Sequence, residues 1–277
     1  MARDIQATVQ QAIGQRYAIE RQLGRGGGAY VFLARDPGGR TVALKVLRPE
    51  LLTGVAADRF LREIRLAGQL QHPHIAPLLD SGEAGWVIYY TMAYVEGPSL
   101  AHRLAQAGPL PIDEVLRVAG DVLAALEYAH GQGVVHRDVK PDNVILSPAG
   151  AVLLDFGIAR AIETTAAEQL TRSGMTLGTS TYMSPEQVQG SRSLDATTDL
   201  YALGCVLFEC LAGRPPFAHS NEMVVLRQHL LEPPPDVRTL RREVPAALGG
   251  AILRAMAKQP GDRWPSAAAM WAAMQAA

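Results

Sequence analysis

Alternating apolar and polar positions dominate the first third of the chain, and this period of two predicts β-strands. The strand-like runs are residues 17–23, 30–35, 41–47, 75–79 and 86–94. Glycine-rich turns separate the first three runs, as expected for antiparallel strands joined by short loops. Apolar residues at helical spacing predict one main helix within this part, over residues 55–70. The region is therefore expected to form a small sheet with one helix.

The first 16 residues follow a different pattern. Ile5, Val9 and Ile13 recur every four residues, which predicts a short amphipathic helix that ends at Gly14. We expect residues 1–16 to form a helical extension outside the main fold.

Beyond residue 100 the spacing of apolar residues is mostly helical. The predicted helices are 100–107, 111–131, 198–213, 221–231, 246–258 and 266–275. A β-rich stretch at 134–160 interrupts these helices. The residues Val95-Glu96-Gly97-Pro98 separate the strand-rich part of the chain from the helix-rich part. A strand-rich part followed by a helix-rich part predicts an α+β fold with a β-rich N-lobe at 17–96 and a larger helical C-lobe at 97–277.

Composition excludes several classes of protein. Hydrophobic residues make up 48% of the chain and charged residues 19%, which is typical of a globular protein and not of a disordered one. Lys and Arg number 26 against 27 Asp and Glu, so the net charge of −1 gives no general attraction to nucleic acid. We expect no nucleic-acid partner.

The cysteines and the longest apolar run bear on location. Cys205 and Cys210 lie five residues apart on a predicted helix, where they point too far apart for a disulfide, so we expect two buried, reduced thiols as in a cytoplasmic protein. The run 200–213 contains Glu209 and is shorter than the roughly 20 residues that cross a bilayer. The N-terminus lacks the apolar core of a signal peptide. We expect a cytoplasmic domain, with any membrane attachment through a segment outside this chain.

A glycine-rich turn, Leu23-Gly24-Arg25-Gly26-Gly27-Gly28-Ala29-Tyr30-Val31, lies between two predicted strands. Glycines there let backbone N–H groups approach phosphate oxygens, although a flexible hairpin turn is the simpler alternative. Lys45 lies on the same strand face as Ala43. Three adjacent strands place this lysine under the turn, where a cation would meet phosphates.

Glu63 is the natural partner of Lys45. It lies at the edge of the apolar stripe on the helix predicted over 55–70. It either forms an exposed pair with Arg59 or turns inward to Lys45, and the spacing alone leaves both arrangements open.

The densest polar chemistry lies in Val134–Asn143 and in the hairpin that follows. Strands at 144–146 and 152–154, with residue 145 opposite 153, would place Asn143 directly opposite Asp155. A carboxamide and a carboxylate side by side suit a hard cation such as Mg²⁺. Asp138 lies close enough to accept a proton from an incoming hydroxyl as a general base.

Taken in order, these motifs resemble those of the eukaryotic-like (Hanks-type) serine/threonine protein kinases of bacteria. The six matching motifs are the glycine loop, Val42-Ala43-Leu44-Lys45, Glu63, His136-Arg137-Asp138 with Lys140 and Asn143, Asp155-Phe156-Gly157, and Ser184-Pro185-Glu186. The resemblance covers about residues 17–270. It implies the two-lobed protein kinase fold.

The resemblance also implies roles for the polar residues. Lys45 would contact the α- and β-phosphates and pair with Glu63, and Asp138 would position the acceptor hydroxyl. Asn143 and Asp155 would hold Mg²⁺, for which Mn²⁺ can substitute. Lys140 would lie near the γ-phosphate and is typical of serine/threonine kinases.

For ATP, the resemblance implies apolar walls, a residue at the back of the adenine pocket, two hinge backbone contacts and the glycine loop. These nucleotide-binding residues are Leu23, Gly24, Arg25, Gly26, Gly27, Gly28, Ala29, Tyr30, Val31, Ala43, Lys45, Met92, Ala93, Val95 and Leu146. Two of them depart from the family pattern. Ala29 stands where a third glycine is usual, at a cost of about 1–2 kcal/mol if the position needs positive φ. Ala93 replaces an acidic hinge residue, which leaves the backbone contact possible.

Several C-lobe residues match structural positions of the same family. Glu186 and Arg263 resemble its ion pair, Thr179 matches the threonine that shapes the acceptor site, and Asp199 and Gly204 match the start of its central helix.

The segment from Asp155 to Glu186 contains a polar, poorly patterned middle. Its hydroxyl residues are Thr164, Thr165, Thr171, Ser173 and Thr176. Arg137 resembles the arginine that receives an activation-loop phosphate, so autophosphorylation is expected at Thr171, Ser173 or Thr176.

The sequence therefore predicts transfer of the γ-phosphate of MgATP to Ser or Thr hydroxyls of protein substrates. Autophosphorylation in trans would involve a homodimer. The alternatives are a nucleotide-binding pseudokinase scaffold and a small-molecule phosphotransferase. Thr179 and the long segment before Ser184-Pro185-Glu186 favour a protein acceptor over a small molecule.

Overall fold

The computed structural model of the chain describes residues 2–25, 29–47, 61, 64, 68–85, 87–156, 180–191 and 193–276. These residues form two compact units. The first contains the described parts of 2–71 and 76–95, and the second contains 72–75, 96–156 and the described parts of 180–276. Most of the helix predicted over 55–70 lies outside the described residues.

The first unit is built on a five-stranded antiparallel sheet. Its strands are β1 (Ala18–Arg25), β2 (Ala29–Arg35), β3 (Thr41–Leu47), β4 (Leu78–Ala84) and β5 (Val87–Ala93). They lie side by side in the order β1-β2-β3-β5-β4. Four of the five predicted strands are confirmed. The strand predicted at 75–79 is wrong, because Ile75 makes only an isolated bridge to Leu153 and the strand begins at Leu78.

Helix α1 (Ala2–Ile13) confirms the N-terminal helix but is part of the core of this unit. Val9 and Ile13 are buried in a cluster with Phe32, Leu44 and Tyr89 from the sheet. Burial of an amphipathic face, rather than helix propensity, is what stabilises so short a helix. Helix α1 therefore packs on the sheet of the first unit instead of forming an extension outside the fold.

Gln10 fastens the end of α1 to the first strand. Its amide nitrogen donates to the carbonyls of Gly14 (2.9 Å) and Tyr17 (3.0 Å), and its amide oxygen accepts from the N–H of Ile19 (2.8 Å). Gly14 has φ +63°, the left-handed conformation that commonly ends a helix.

The second unit is mainly helical. Its helices are α2 (Leu100–Ala107), α3 (Ile112–Gly131), α4 (Pro185–Val188), α5 (Ala196–Ala212), α6 (Glu222–Leu231), α7 (Ala246–Ala255) and α8 (Ala267–Gln275). All six helices predicted beyond residue 100 are confirmed, with ends that differ by at most a few residues. The hairpin strands β6 (Val144–Ser147) and β7 (Gly150–Leu153) lie between α3 and α4 in the chain. The sheet in one unit and helices in the other confirm the α+β, two-lobed class.

Helix α5 is buried on nearly all sides, from Thr198 to Leu211. Both cysteines lie on it as buried free thiols, as predicted, and burial raises the pKa of Cys205 to about 12. Within the described ranges, each helix falls short of the length and apolarity that a bilayer span requires.

A series of buried hydrogen bonds joins α5 to α6. His229 is fully buried; its Nδ1 lies 2.9 Å from the Tyr201 hydroxyl and its Nε2 lies 3.0 Å from the carbonyl oxygen of Thr181. A carbonyl oxygen only accepts, so Nε2 carries the proton and Nδ1 accepts from Tyr201. Lys258 donates to the carbonyl of His229 at 2.8 Å. Burial, together with the charge of Lys258, lowers the pKa of His229 to about 4.

This histidine should make the unfolding free energy depend on pH. The unfolded chain protonates the imidazole near 6.5 and the folded chain only near 4, so stability falls as pH drops through this window. We expect the wild type to lose about 2 kcal/mol of unfolding free energy from this group between about pH 7 and 5. Urea unfolding of the wild type and of His229→Gln at both pH values measures it.

His102→Gln, at an exposed histidine, is the control and should keep the wild-type pH dependence. An identical loss of stability in His229→Gln and the wild type would contradict the assignment.

Candidate active site

One face of the first unit's sheet brings together the residues predicted to meet a nucleotide. Val31 lies opposite Lys45 across β2 and β3, and Ala43 lies opposite Met92 across β3 and β5. Residues directly opposite, and those two apart along a strand, share a face. These four side chains therefore lie on the face opposite to the one that α1 covers. The Lys45 Nζ lies 6.0 Å from the ring centroid of Tyr90, its cross-strand neighbour.

The glycine loop is described only at its two flanks. Leu23, Gly24 and Arg25 end β1, and Ala29, Tyr30 and Val31 begin β2. Gly26, Gly27 and Gly28 lie outside the described residues, as does Glu63, so the pairing of Glu63 with Lys45 or Arg59 stays a prediction. Ala29 is a strand residue paired with Leu47, and the non-glycine residues of positive φ in the described chain are Arg137 and Asp155. The cost considered for a methyl at residue 29 therefore does not arise.

Two of the residues predicted to meet adenine, Met92 and Ala93, end β5. Met92 is buried, and the N–H of Ala93 donates to the carbonyl of Pro77 at 3.0 Å. A backbone contact from Ala93 to adenine would therefore come from its carbonyl. Val95 follows in the first unit, whereas Leu146 belongs to β6 in the second.

In the second unit, Asp138 is the centre of a compact polar group. Its Oδ2 accepts from Lys140 Nζ at 2.7 Å and from Asn143 Nδ2 at 3.0 Å. Asn143 Nδ2 also donates to the Asp138 carbonyl at 2.8 Å. Both amide hydrogens of Asn143 are thus directed at Asp138, and its amide oxygen is the atom suited to a cation.

A buried carboxylate on α5 holds the loop that carries Asp138. Asp199 has no exposed surface, and its two oxygens accept from the N–H groups of His136 (2.8 Å) and Arg137 (2.7 Å). His130, near the end of α3, lies 2.7 Å from the same carboxylate through Nε2. Backbone N–H groups aimed at a buried charge compensate for its desolvation and fix the loop.

His136 links this loop to the end of the hairpin. Its Nε2 donates to the carbonyl of Leu154 at 2.6 Å, and its Nδ1 accepts from the N–H of Asp138 at 3.1 Å. These two bonds define a neutral ring with the proton on Nε2. Phe156 packs edge-on against the same ring, with centroids 4.6 Å apart.

The predicted register of the hairpin is wrong by one residue. Val144 pairs with Leu153 and Ile145 with Val152, so the turn consists of the two residues Pro148 and Ala149. Ser147 and Gly150 pair with each other as strand residues, and the Ser147 hydroxyl also donates to the Gly150 carbonyl at 2.8 Å.

As a result, Asn143 lies opposite Leu154, whose N–H donates to the Asn143 carbonyl at 2.8 Å. Asp155 comes one residue later and has φ +65°, outside the extended conformation of the strand. Asn143 and Asp155, the two predicted metal ligands, are therefore one residue out of register at the end of the hairpin and do not lie directly opposite each other.

Glu186, in the first turn of α4, is anchored to α5. Glu186 forms a bidentate pair with Arg263, with both N···O distances 2.7 Å, and accepts from the Thr198 hydroxyl at 2.7 Å. Burial raises the pKa of Glu186, but these hydrogen bonds outweigh it and the net shift is downward. The predicted pair is therefore formed.

Tyr182 donates to Glu209 at 2.5 Å, and burial is the main cause that raises the pKa of both groups. Thr179 lies outside the described residues.

Two polar residues of this group escaped the sequence analysis. His130 gave no signal, because a histidine in the last turn of a helix is common. Gln187 did give a signal in the sequence, because Ser184 and Gln187 have the spacing of a capping box. The structure forms this capping box at the start of α4.

Comparison with known proteins assigns the family. Residues 17–258 match the protein kinase domain. The chain is 40% identical over 265 residues to the serine/threonine-protein kinase PknB of Mycobacterium leprae, covering 93% of this chain and 42% of that protein. It is 39% identical over 284 residues to the serine/threonine-protein kinase pkn3 of Myxococcus xanthus, covering 99% of this chain and 52% of that protein.

A probable PknB of Lactococcus lactis is 38% identical over 253 residues, covering 90% of this chain and 40% of that protein. The chain thus spans about two fifths to one half of the length of these relatives. A family match over most of the residues, with relatives near 40% identity that are named serine/threonine kinases, shows that this chain belongs to the protein kinase family.

Proposed function

We propose that the chain is a serine/threonine protein kinase that transfers the γ-phosphate of MgATP to hydroxyl groups of protein substrates. The observation that supports this most is the arrangement around Asp138. A carboxylate bonded to Lys140 and Asn143, on a loop whose backbone is held by Asp199, is suited to orient a hydroxyl and to accept its proton.

The first unit would bind the nucleotide. Leu23, Val31 and Ala43 would form apolar walls for adenine. Met92 would lie at the back of the adenine pocket, and Lys45, on the same face of the sheet as Val31 and Ala43, would contact phosphates. The carbonyl of Ala93 and the backbone of Val95 would supply the hinge contacts. Leu146, on β6, is the remaining apolar residue that the resemblance assigns to nucleotide binding.

The protein kinase family implies ATP and a divalent metal ion. The amide oxygen of Asn143 and the carboxylate of Asp155 are hard oxygen donors, which fits Mg²⁺ and also Mn²⁺. A divalent ion there would neutralise charge on the phosphate oxygens. Lys140, bonded to Asp138 at 2.7 Å, would add positive charge beside the transferred group.

Protein substrates with Ser or Thr acceptors fit the names of the relatives, and no observation favours a pseudokinase or a small-molecule acceptor. We propose a nucleotide-binding N-lobe at 17–96 and a C-lobe at 97–277 for the catalytic loop and the acceptor. Autophosphorylation in trans through a homodimer, and a cytoplasmic location of this domain, belong to the same proposal.

Replacing the base tests the assignment of catalysis. Asp138→Asn keeps the shape of the side chain but cannot accept a proton, so we expect kcat to fall by about 10²–10⁴-fold. Transfer of labelled phosphate from MgATP to casein or myelin basic protein measures it. Asp113→Asn, at an exposed carboxylate on α3, is the control and should match the wild type. Equal rates for Asp138→Asn and the wild type would refute the role of Asp138.

The activation segment supplies a second test. Thr171, Ser173 and Thr176 lie outside the described residues, and we expect at least one of them to become phosphorylated when the wild type is incubated with MgATP. Intact-mass and peptide mass spectrometry should show the added phosphate, which Asp138→Asn should lack. An active wild type that stays unmodified across residues 160–180 would contradict this regulation.

A further inference from the structure

The peptide bond between Arg137 and Asp138 has an unusual backbone setting. Arg137 has φ +69°, in the left-handed region that residues with a side chain seldom adopt. Such a conformation persists only where surrounding contacts hold it. Asp138 follows directly, so the orientation of this peptide sets the direction in which its carboxylate points.

Three hydrogen bonds hold this stretch of backbone. The N–H of Arg137 donates to Asp199, and the N–H of Asp138 donates to His136 Nδ1. The carbonyl of Arg137 accepts from the side-chain Nε2 of Gln187 at 2.7 Å. The peptide plane that precedes Asp138 is therefore held at both of its ends, and Gln187 holds the carbonyl end.

The other end of the Gln187 side chain is fixed as well. Its Oε1 accepts from the N–H of Ser184 at 3.1 Å, and the N–H of Gln187 donates to the Ser184 hydroxyl at 3.4 Å. Ser184 is fully buried. The amide has one orientation that satisfies both neighbours, with oxygen toward the Ser184 N–H and nitrogen toward the Arg137 carbonyl.

We propose that Gln187 is a positioning residue for phosphoryl transfer: by donating to the Arg137 carbonyl, it fixes the peptide that aims Asp138 and ties the loop to the start of α4. This inference rests on the proposed function, since it concerns the residue assigned as the base. A capping box alone does not require this residue type, because a glutamate at the same position also accepts from the N-cap backbone. Only the amide nitrogen supplies the bond to Arg137.

Gln187→Glu separates the two roles. The new carboxylate keeps the capping bond to Ser184 but presents an acceptor to the Arg137 carbonyl. Near pH 8 we expect kcat to fall about 10-fold or more, with the KM for ATP changed by less than about 2-fold, because misplacement of a catalytic group affects the transfer step.

The pH profile then distinguishes positioning from a general structural role. A protonated carboxyl donates to a carbonyl, and partial burial beside that carbonyl raises the pKa of the new group. The deficit in kcat relative to the wild type should therefore shrink by about 3-fold or more as pH falls toward about 6. The charged and titratable groups on the elements bonded to Gln187 or to its partners include His136, Arg137, Asp138 and Lys140 on the loop, Asp199 on α5, and Glu186 on α4 with its partner Arg263.

Gln189→Glu is the matched control, since it adds the same charge at an exposed position at the end of the same helix. It should follow the wild-type rate across the pH range. A wild-type kcat for Gln187→Glu near pH 8 would overturn the proposal, and so would a deficit that does not change with pH.

Amide hydrogen exchange tests the positioning role of Gln187 independently of whether the chain transfers phosphate. In Gln187→Glu near pH 8, the segment 136–139 should exchange faster than in the wild type and in Gln189→Glu, whether or not transfer is observed. Unchanged exchange there would overturn the positioning role. Absence of transfer by the wild type would instead refute the proposed function.

Discussion

The buried carboxylate of Asp199 is the interaction on which the second unit's polar centre depends. A fully buried charge is costly unless donors surround it, and here the N–H groups of His136 and Arg137 and the ring of His130 converge on its two oxygens. The same bonds fix the backbone on either side of a residue in the left-handed region. The desolvated charge thus holds a loop that would relax without it.

Helix α5 extends this constraint to the rest of the unit. Beside Asp199, its Thr198 bonds Glu186, its Tyr201 bonds His229 and its Glu209 accepts from Tyr182. Each partner belongs to a different segment of the chain, while the apolar side chains of α5 are buried around these bonds. The loop that carries Asp138 and the segment that carries Glu186 therefore share one buried support, and groups that are held in place beforehand require no reorganisation when they act.

The elements of the fold were largely predictable because their signals are local. The spacing of apolar residues was sufficient to locate the helices beyond residue 100. The strand at 75–79 was misplaced because apolar residues at Ile75 and beyond belong to an isolated bridge and a connection before β4. Burial of α1 depends on the sheet face that carries Phe32 and Leu44, and no pattern within residues 1–16 reveals that face.

The site was predictable in its residue types but not in its geometry. The motifs indicated Asp138, Asn143 and Asp155, yet the hairpin register depends on whether Ser147 and Gly150 belong to the turn or to the strands. These two residues pair with each other, which shifts the register by one residue from the predicted one. The positive φ of Arg137 is held by hydrogen bonds to Asp199 and Gln187, which are distant in sequence. For the same reason His130 and Gln187, whose partners lie 69 and 50 residues away, could not be assigned from spacing.

Single-turnover phosphoryl transfer by Asp199→Asn at saturating MgATP tests whether the buried Asp199 carboxylate holds the loop that carries Asp138. An amide there has one acceptor oxygen and would turn its own N–H₂ toward a loop N–H, so the loop should lose its fixed backbone. We expect the rate of transfer to fall about 100-fold or more, in a chain that still unfolds cooperatively. A folded Asp199→Asn that transfers phosphate at the wild-type rate would contradict the account.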